Sequence, residues 1–403
     1  MADTENNKNS NSPALRFPGF TDPWSKFALG DLGTSLIGLT YSPKDVVQED
    51  GIIVLRSSNI QDGALDFNDI VRVSKKIRPA LFTQEDDILI CSRNGSARLI
   101  GKNAIIPKSL SGLTFGAFMM VYRSNQNRFI HHQLNTKRYQ AQVSENLGAR
   151  INQITSSDLN SFEFFFPCER EQNKIAEFID LIDERIATQR RLIEDFISLR
   201  SAILQDAIKK GLSKKSWKFT TLTEILTERG ERNYNGYDVC SVSVSEGVVN
   251  QIEYLGRSFA AKETGHYNVA RYGDIIYTKS PTGSFPYGIV KRNTQKEPAA
   301  ISPLYGVFVP IHDWMGMLLE YYFESEVNTF NYLHPIIQKG AKNTINITNS
   351  GFLANSVPLP TSESEALTLA KCLDTITHKI VLEKSVLANY TVQREYFLSK
   401  MFV

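Results

Sequence analysis

The chain carries a copy of itself. "WSKFALGDL", opened by Trp24 and Leu29, returns as "WKFTTLTEI", opened by Trp217 and Leu222, with Asp31 answered by Glu224. "GARINQITSSDLNSFEFFFP", ending at Pro167, returns as "AKNTINITNSGFLANSVPLP", ending at Pro360. The distance between copies is nearly constant, so one duplication covers most of the chain. In 403 residues two or three domains are expected. The duplication makes two globules of one design the natural reading.

Each copy runs from its proline into a long helix. Asn173 to Leu204 holds no Gly and no Pro, and its apolar residues return every three or four positions. The seam reads Ile175, Ile179, Ile182, Ile186, Gln189, Ile193, Phe196, Arg200, Ile203, Ala207. The second copy reads Leu369, Leu373, Ile376, Ile380, Glu383, Leu387, Tyr390, Arg394, Phe397, Met401. Polar steps fall at matching rungs: Gln189 answers Glu383, and Arg200 answers Arg394. Periodicity alone also describes two ordinary core helices. Shared interruptions over about five heptads favour two matched helices packed along each other. Ser362 and Glu365 form a capping box that starts the second helix, and "KKGLSKKS" is expected to end the first at Gly211.

Between these landmarks lie short apolar runs bounded by Gly, Pro, Asn and Ser: "GIIVLR", "DDILIC", "KNAIIP", "AFMMVYR", then "DVCSVSV", "GDIIYTK", "YGIVKR" and "PLYGVFV". They read as strands joined by turns, with "DDILIC" and "GDIIYT" as the same strand in two copies. A shorter helix is expected around residues 313–328. The fold class is therefore α+β, two repeated globules each followed by a long helix. The expected segments are a disordered 1–20, a globule 21–167, a central helix 168–211, a second globule 212–360 and a C-terminal helix 361–403.

Lys and Arg total 45 against 43 Asp and Glu, so the whole chain is no polycation. Cys91, Cys168, Cys240 and Cys372 are far apart and form no C-x-x-C pair, which argues against structural zinc and disulfides and suits a cytoplasmic location. No apolar run approaches the ~20 residues that span a bilayer. "GSARLIGKN" resembles a P-loop, but five residues separate Gly95 from Gly101 and Asn103 stands where Ser or Thr would hold magnesium. There is no G-x-G-x-x-G after a strand, no G-x-S-x-G and no H-E-x-x-H. His131 and His132 are adjacent, and a solvated surface is expected for them rather than a metal pair. No catalytic residue, metal ligand or bound cofactor is expected.

What remains is polar and cationic punctuation on turns. The first globule offers Arg93, Asn94, Ser96, Arg98 and Lys102, then Arg150, Asn152 and Gln153. The second offers Lys279, Ser280, Thr282 and Ser284, then Lys291, Arg292 and Asn293, then Lys339, Lys342 and Asn343. Arg, Lys, Asn and Gln contact purine edges, while Ser, Thr and backbone amides hold phosphates. Any one of these residues alone is as well explained by a solvated turn. The signal is recurrence, a Gly-polar-basic turn after corresponding strands in both copies.

This pattern resembles the specificity subunit of type I restriction–modification systems over nearly the full length. The carriers are "LRFPGFTDPW", "ITSSDLNSFEFFFPCEREQNKIAEFID" and the partial second copy "ITNSGFLANSVPLPTSESEALTLAKCLD". The second copy departs from the pattern, with Glu365-Ala366 and Leu369-Ala370 where the first has Glu171-Gln172 and Ile175-Ala176. The resemblance implies two target recognition domains and two conserved helices packed as an antiparallel coiled coil, which separate the halves of a split, asymmetric site on double-stranded DNA. It also implies two methyltransferase subunits that bring S-adenosylmethionine, with restriction/translocase subunits as further partners, and no chemistry in this chain. Three alternatives stay open: an enzyme whose motifs have diverged beyond recognition, a DNA-recognition subunit of another restriction class, and a coiled-coil adaptor without DNA specificity.

Overall fold

The computed structural model describes residues 11–147, 152–257, 263–339 and 345–403. The chain divides into two compact units: residues 1–189 with 386–403, and residues 190–385. Each unit holds one globule and a portion of both long helices.

In the first globule β1 (Ser25–Ala28) pairs antiparallel with β6 (Glu163–Phe166), which delivers the chain into the long helix α5 (Glu169–Lys214). Between them β2 (Thr34–Ile37), β3 (Ile88–Cys91), β4 (Asn103–Ile105) and β5 (Met119–Arg123) form an antiparallel sheet in the order β2-β5-β3-β4. The helices α1 (Leu29–Leu32), α2 (Asn127–Gln133), α3 (Lys137–Leu147) and α4 (Ser156–Ser161) complete the frame. Strand alternation splits the apolar load between the two faces. Ile88, Ile90, Met120 and Tyr122 join Trp24, Phe129, Leu159 and α5 on one side. Leu89, Cys91, Met119 and Val121 face a second core with Leu39, Val54 and Phe115 on the other.

The second globule repeats this frame with α6 (Leu222–Ile225), α7 (Asp313–Phe323), α8 (Glu326–Leu333), α9 (Asn349–Ala354) and the final helix α10 (Glu363–Met401). Its β7 (Trp217–Thr221) pairs with β12 (Ser356–Pro360). Its sheet runs in the order β8 (Leu226–Glu228), β11 (Gly306–Pro310), β9 (Ile275–Tyr277), β10 (Val290–Arg292). The likeness extends to single bonds. Thr155 caps α4 by accepting from Asp158 N, and Thr348 caps α9 by accepting from Gly351 N. Asp86 N donates to Ile106 O at 2.9 Å, as Gly273 N does to Asn293 O at 2.8 Å. The helix expected around 313–328 is two, because the chain breaks at Glu324 and restarts with Ser325 as the cap of α8.

The long helices pack antiparallel. In the first unit Phe178 meets Phe397 edge-on at 4.8 Å, and one turn later Asp183 pairs with Arg394. In the second unit Arg200 donates to Thr377 Oγ1 at 2.6 Å and to Glu324 Oε2 at 2.6 Å. Both seam arginines thus reach polar partners on the facing helix. Ile175, Ile179, Ile186 and Ile193 are buried, as are Leu373 and Ile380, while Ile182, Phe196, Ile203, Leu369, Ile376, Leu387, Tyr390 and Phe397 are half-buried.

Two boundary expectations are corrected. The first helix continues through Gly211 to Lys214. A Cβ on Gly211 would lie 1.9 Å from Trp217 Cδ1, so the glycine is there to admit the indole, not to stop the helix. The stop is Lys215 at φ +60°, with Ser216 N donating to Gly211 O and Lys215 N to Leu212 O, the Schellman pattern. Residues 11–20, expected to be disordered with the rest of 1–20, are held in place. Leu15 N donates to Lys400 O, and Arg16 grips the fully buried carboxylate of Glu171 at 2.6 and 2.7 Å. Residues 1–10 lie outside the described residues.

Candidate nucleic-acid interface

Strand registers place several loops at one end of each central sheet. In the first globule Met119 faces Cys91 and Met120 faces Ile37, so the chain after β2, the chain after β3 and the chain before β5 converge at the end opposite α1. In the second, Tyr277 faces Gly306 and Glu228 faces Phe308, so the chain after β8, after β9 and before β11 converges likewise.

Both sheets are anchored at the same carboxylate. Asp87 and Asp274 are each 1 % exposed. Asp87 accepts Arg123 Nε at 2.7 Å and Nη2 at 2.6 Å, and Gln84 N at 2.8 Å. Asp274 accepts Arg229 Nε at 2.5 Å and Nη2 at 2.9 Å, and Arg271 N at 2.7 Å. Burying a charge demands such pairing, and a bidentate arginine supplies it. The loops therefore project from a rigid floor.

In the first globule Arg93, Asn94, Ser96 and Asn152 come together. Residues 152–154 return alongside 92–94: Arg93 bridges Gln153, Asn152 Nδ2 donates to Gly95 O at 2.9 Å, and Ile154 N donates to Ser92 O at 2.9 Å. Asn94 Oδ1 accepts Ser96 N at 3.0 Å, and the Arg93 guanidinium lies 5.2 Å over the exposed Phe118 ring. Arg98 and Lys102 turn away, lining a cavity of about 380 Å³ against α3 with Tyr139 and Gln140. Arg150 lies outside the described residues.

In the second globule Lys279, Ser280, Thr282 and Ser284 share the loop from β9 to β10. Lys279 sits at φ +58°, and burial pulls its ammonium pKa down. Gly288, at φ +98°, closes the loop where a Cβ would meet Lys279 N at 2.9 Å. Ser280 is exposed, Thr282 pairs with Phe285, and the Ser284 hydroxyl is bound by Glu326.

Lys291 and Arg292 do not belong to this surface. They lie within β10 and are 9 % and 5 % exposed. Arg292 is committed to Asp313, with its guanidinium 4.9 Å from the Tyr272 ring. "VKRNTQK" reads as a basic turn, but its first three residues are strand or strand end. Asn293 is fully buried and donates to Ala270 O at 3.0 Å. The side chain of Lys339 and the residues Lys342 and Asn343 lie outside what is described. The histidines are also corrected: His131 and His132 are buried, not solvated, and His132 Nε2 lies 2.9 Å from Asp180 Oδ1. Burial, then the neighbouring charges of His132 and Arg394, push His131 down to about 3.

The sequence reading missed a set of residues at the same sheet ends. Phe118 is 58 % exposed and Leu304 is 72 % exposed, each on the loop entering the central strand. Around Leu304, Arg232 Nη1 donates to His266 O at 3.1 Å, and Asn268 Nδ2 donates to Tyr305 O at 2.9 Å. Phe118 and Leu304 are both large apolar side chains turned into water beside cationic and amide groups. A search for basic turns passes over them because they are apolar, while Arg93, Ser96 and Ser280 are exposed beside them.

Among the described residues no group of three or more His, Cys, Asp and Glu could hold a metal, and no helix is long and apolar enough to cross a membrane. The four cysteines are free.

Part of this chain and its fold resemble known proteins. Residues 21–195 match the model of the type I restriction modification DNA specificity domain. The fold recurs over 97 % of this chain and 99 % of the type I restriction–modification S subunit from M. genitalium, at TM-score 0.59 and 15 % identity. It recurs also in a structure describing complex assembly and conformational transition of the type I R-M system, at TM-score 0.50, 15 % identity and 95 % and 98 % coverage. The chain is similar to type I restriction enzyme specificity subunits. It is 25 % identical to the EcoKI specificity subunit of Escherichia coli (strain K12) over 64 % of this chain, and 26 % identical to the StySPI specificity subunit of Salmonella potsdam over 47 %. The matches span 61 % and 43 % of those relatives' own lengths.

Proposed function

We propose that this chain is the sequence-reading subunit of a type I restriction–modification complex. It reads a bipartite, asymmetric site on double-stranded DNA and supplies the address for chemistry done elsewhere. The observation that carries this reading is one frame built twice, with the same Asp-anchored sheet and different loops at the same end. Such a chain presents two unlike reading surfaces from one scaffold, as a split asymmetric site requires. The globules at 21–167 and 212–360 are the two target recognition domains. The paired helices set the distance between half-sites. Two methyltransferase subunits bring S-adenosylmethionine, restriction/translocase subunits complete the assembly, and the complex works in the cytoplasm. This chain is a recognition subunit and performs no catalysis itself.

The test is methylation sequencing of host DNA with and without this gene, the methyltransferase being present in both. One bipartite motif should disappear with the gene. Replacing residues 24–167 by the matching domain of another specificity subunit should change one half of the motif only. Methylation by the purified chain alone, or a swap that rewrites both halves, would refute the assignment.

A further inference from the structure

The first globule holds a recognition feature that its basic turns do not reveal. A cleft of about 600 Å³ opens at the loop end of the central sheet, between the chain after β2, residues 56–58 and the loop before β5. Its floor and wall include Tyr41, Met119 and the exposed Phe118. Arg56 stands at its side, held in one pose. Its Nη2 meets Asp69 Oδ2 at 2.6 Å and Asp69 O at 3.4 Å. Its backbone N donates to Asn59 Oδ1 at 2.9 Å, and the fully buried Asn59 donates onward to Asp66 O at 2.9 Å and Asp69 O at 2.8 Å. Asn59 therefore locks the chain on both sides of the arginine, and Asp69 aims the guanidinium.

The pairing is incomplete. Arg56 Nε is buried without a partner, and Nη1 makes no hydrogen bond among the described residues. Nε is shut off from solvent, so the donors that a ligand in the cleft can reach are the N–H groups of Nη1. Beside it Ser57 Oγ accepts Asn94 Nδ2 at 3.0 Å, tying the cleft to the Arg93–Asn152 loop crossing. A fixed guanidinium with unused donors, next to an exposed aromatic and a cationic loop, suits a base edge with two adjacent acceptors inside a polyanion.

We propose that Arg56 is a specificity-determining residue of the first half-site, reading the O6 and N7 acceptors of a guanine in duplex DNA. Asp69 is its positioning residue, and Phe118 packs against the neighbouring base. This rests on the DNA-reading function proposed above. Guanine is the base whose major-groove edge offers two acceptors side by side, and arginine is its usual reader. The compensating carboxylate lowers the net charge of the site, so its contribution is to selectivity more than to general affinity for the backbone.

The experiment uses the full chain co-expressed with its methyltransferase and reads host methylation by sequencing, for wild type, Arg56→Ala, Arg56→Lys and Arg56→Gln. The wild-type motif should carry a G:C pair in the half assigned to the first globule. Arg56→Ala should make that position degenerate, with discrimination falling about 5- to 150-fold and the other positions unchanged. Arg56→Lys keeps the charge but loses the fork and should relax the same position, which covers the case where the alanine variant fails to fold. Arg56→Gln should move the preference toward adenine, whose edge an amide matches. An unchanged motif in all three variants overturns the proposal. So does an even loss over every site with a shallower salt dependence, the mark of a phosphate contact. A wild type with no motif at all sinks the proposed function itself, a distinct failure.

Discussion

The two globules agree where they meet the long helices and disagree where they face outward. Near the helices several features have counterparts: the buried Trp24 and Trp217, the threonine caps of α4 and α9, and the buried Asp87 and Asp274. Beyond the central sheet the first globule builds a four-stranded layer from residues 46–47, 52–55, 72–73 and 114–115, with a two-stranded ribbon at 60–65. Among the described residues the second has two-stranded pieces there, 240–243 with 247–250 and 268–270 with 299–301. Its outer core is correspondingly smaller, with Cys240, Val248, Ala270 and Ile276 where the first has Val54, Leu55, Phe115 and Met119. A frame that must accept a long helix tolerates little change in volume, because packed interiors register a single methylene. The outer layer has no such obligation. Even the shared anchor shows the freedom: the arginine that neutralises the carboxylate comes from the end of β5 in one copy and from just past β8 in the other.

The comparison breaks most sharply at those anchors. Asp87→Ala and Asp274→Ala should each remove the buried carboxylate from a half-buried arginine and cost about 2–4 kcal/mol, somewhat less in the second copy, where Arg229 keeps Glu231 at 3.4 Å, read by chemical denaturation of the full chain. Apart from that difference the two losses should match if the frames are equivalent; an anchor worth much less in one copy would mean that the repeat is geometric only.

A smaller difference concerns pH. The second globule carries Glu320, raised to about 7 by burial first and by the charge of Glu324 second, against the opposing fields of Arg292, Lys291 and Arg200. Glu324 is raised as well, again by burial, and Arg200 opposes it. A carboxyl raised in the folded state binds its proton more tightly there than in the unfolded chain. Its contribution is complete below the ordinary value of 4.5 and is lost as pH rises through about 7. Thermal unfolding of this globule should therefore move to lower temperature between pH 5 and pH 8, and Glu320→Gln should flatten that slope. The first globule gives the opposite sign, because His131, lowered from 6.5 to about 3, makes its stability rise from pH 5 to about 6.5. An unaltered slope in the Glu320→Gln variant would reject the assignment.

The smallest stability effect belongs to the loop tips. Phe118→Ala and Leu304→Ala remove side chains that stand mostly in water, so each should change stability by less than about 0.5 kcal/mol. DNA affinity and the methylation motif should nonetheless change, each in its own half-site. A large loss of stability would show that these residues belong to the frame.

Some of this was open to reading in one dimension. Periodicity and repetition are local, so the duplication, the central strands and the seams of both helices could be read from spacing alone. The β10 segment shows where that ends. Lys291, Arg292 and Asn293 have the composition of a surface turn, and only the packing of α7 beneath β10 makes them interior, with Asp313 as the counter-ion that permits it. Gly211 looks like a helix stop until Trp217, brought back by the turn at Lys215, occupies the space its missing Cβ leaves. His131 and His132 look solvated until α5 covers them.

What the amino-acid order determined by itself was the repeat, the two ladders of apolar residues and the absence of catalytic motifs, because each depends on residue type and short spacing. What tertiary structure decided was which polar residues are free to meet a ligand. That depends on partners distant in the chain: Asp69 aims Arg56 across 13 residues, Glu171 engages Arg16 across 155, and Asp313 withdraws Arg292 from solvent. A charged side chain is a binding group only where its neighbours leave donors or acceptors free, and neighbours are a property of the fold.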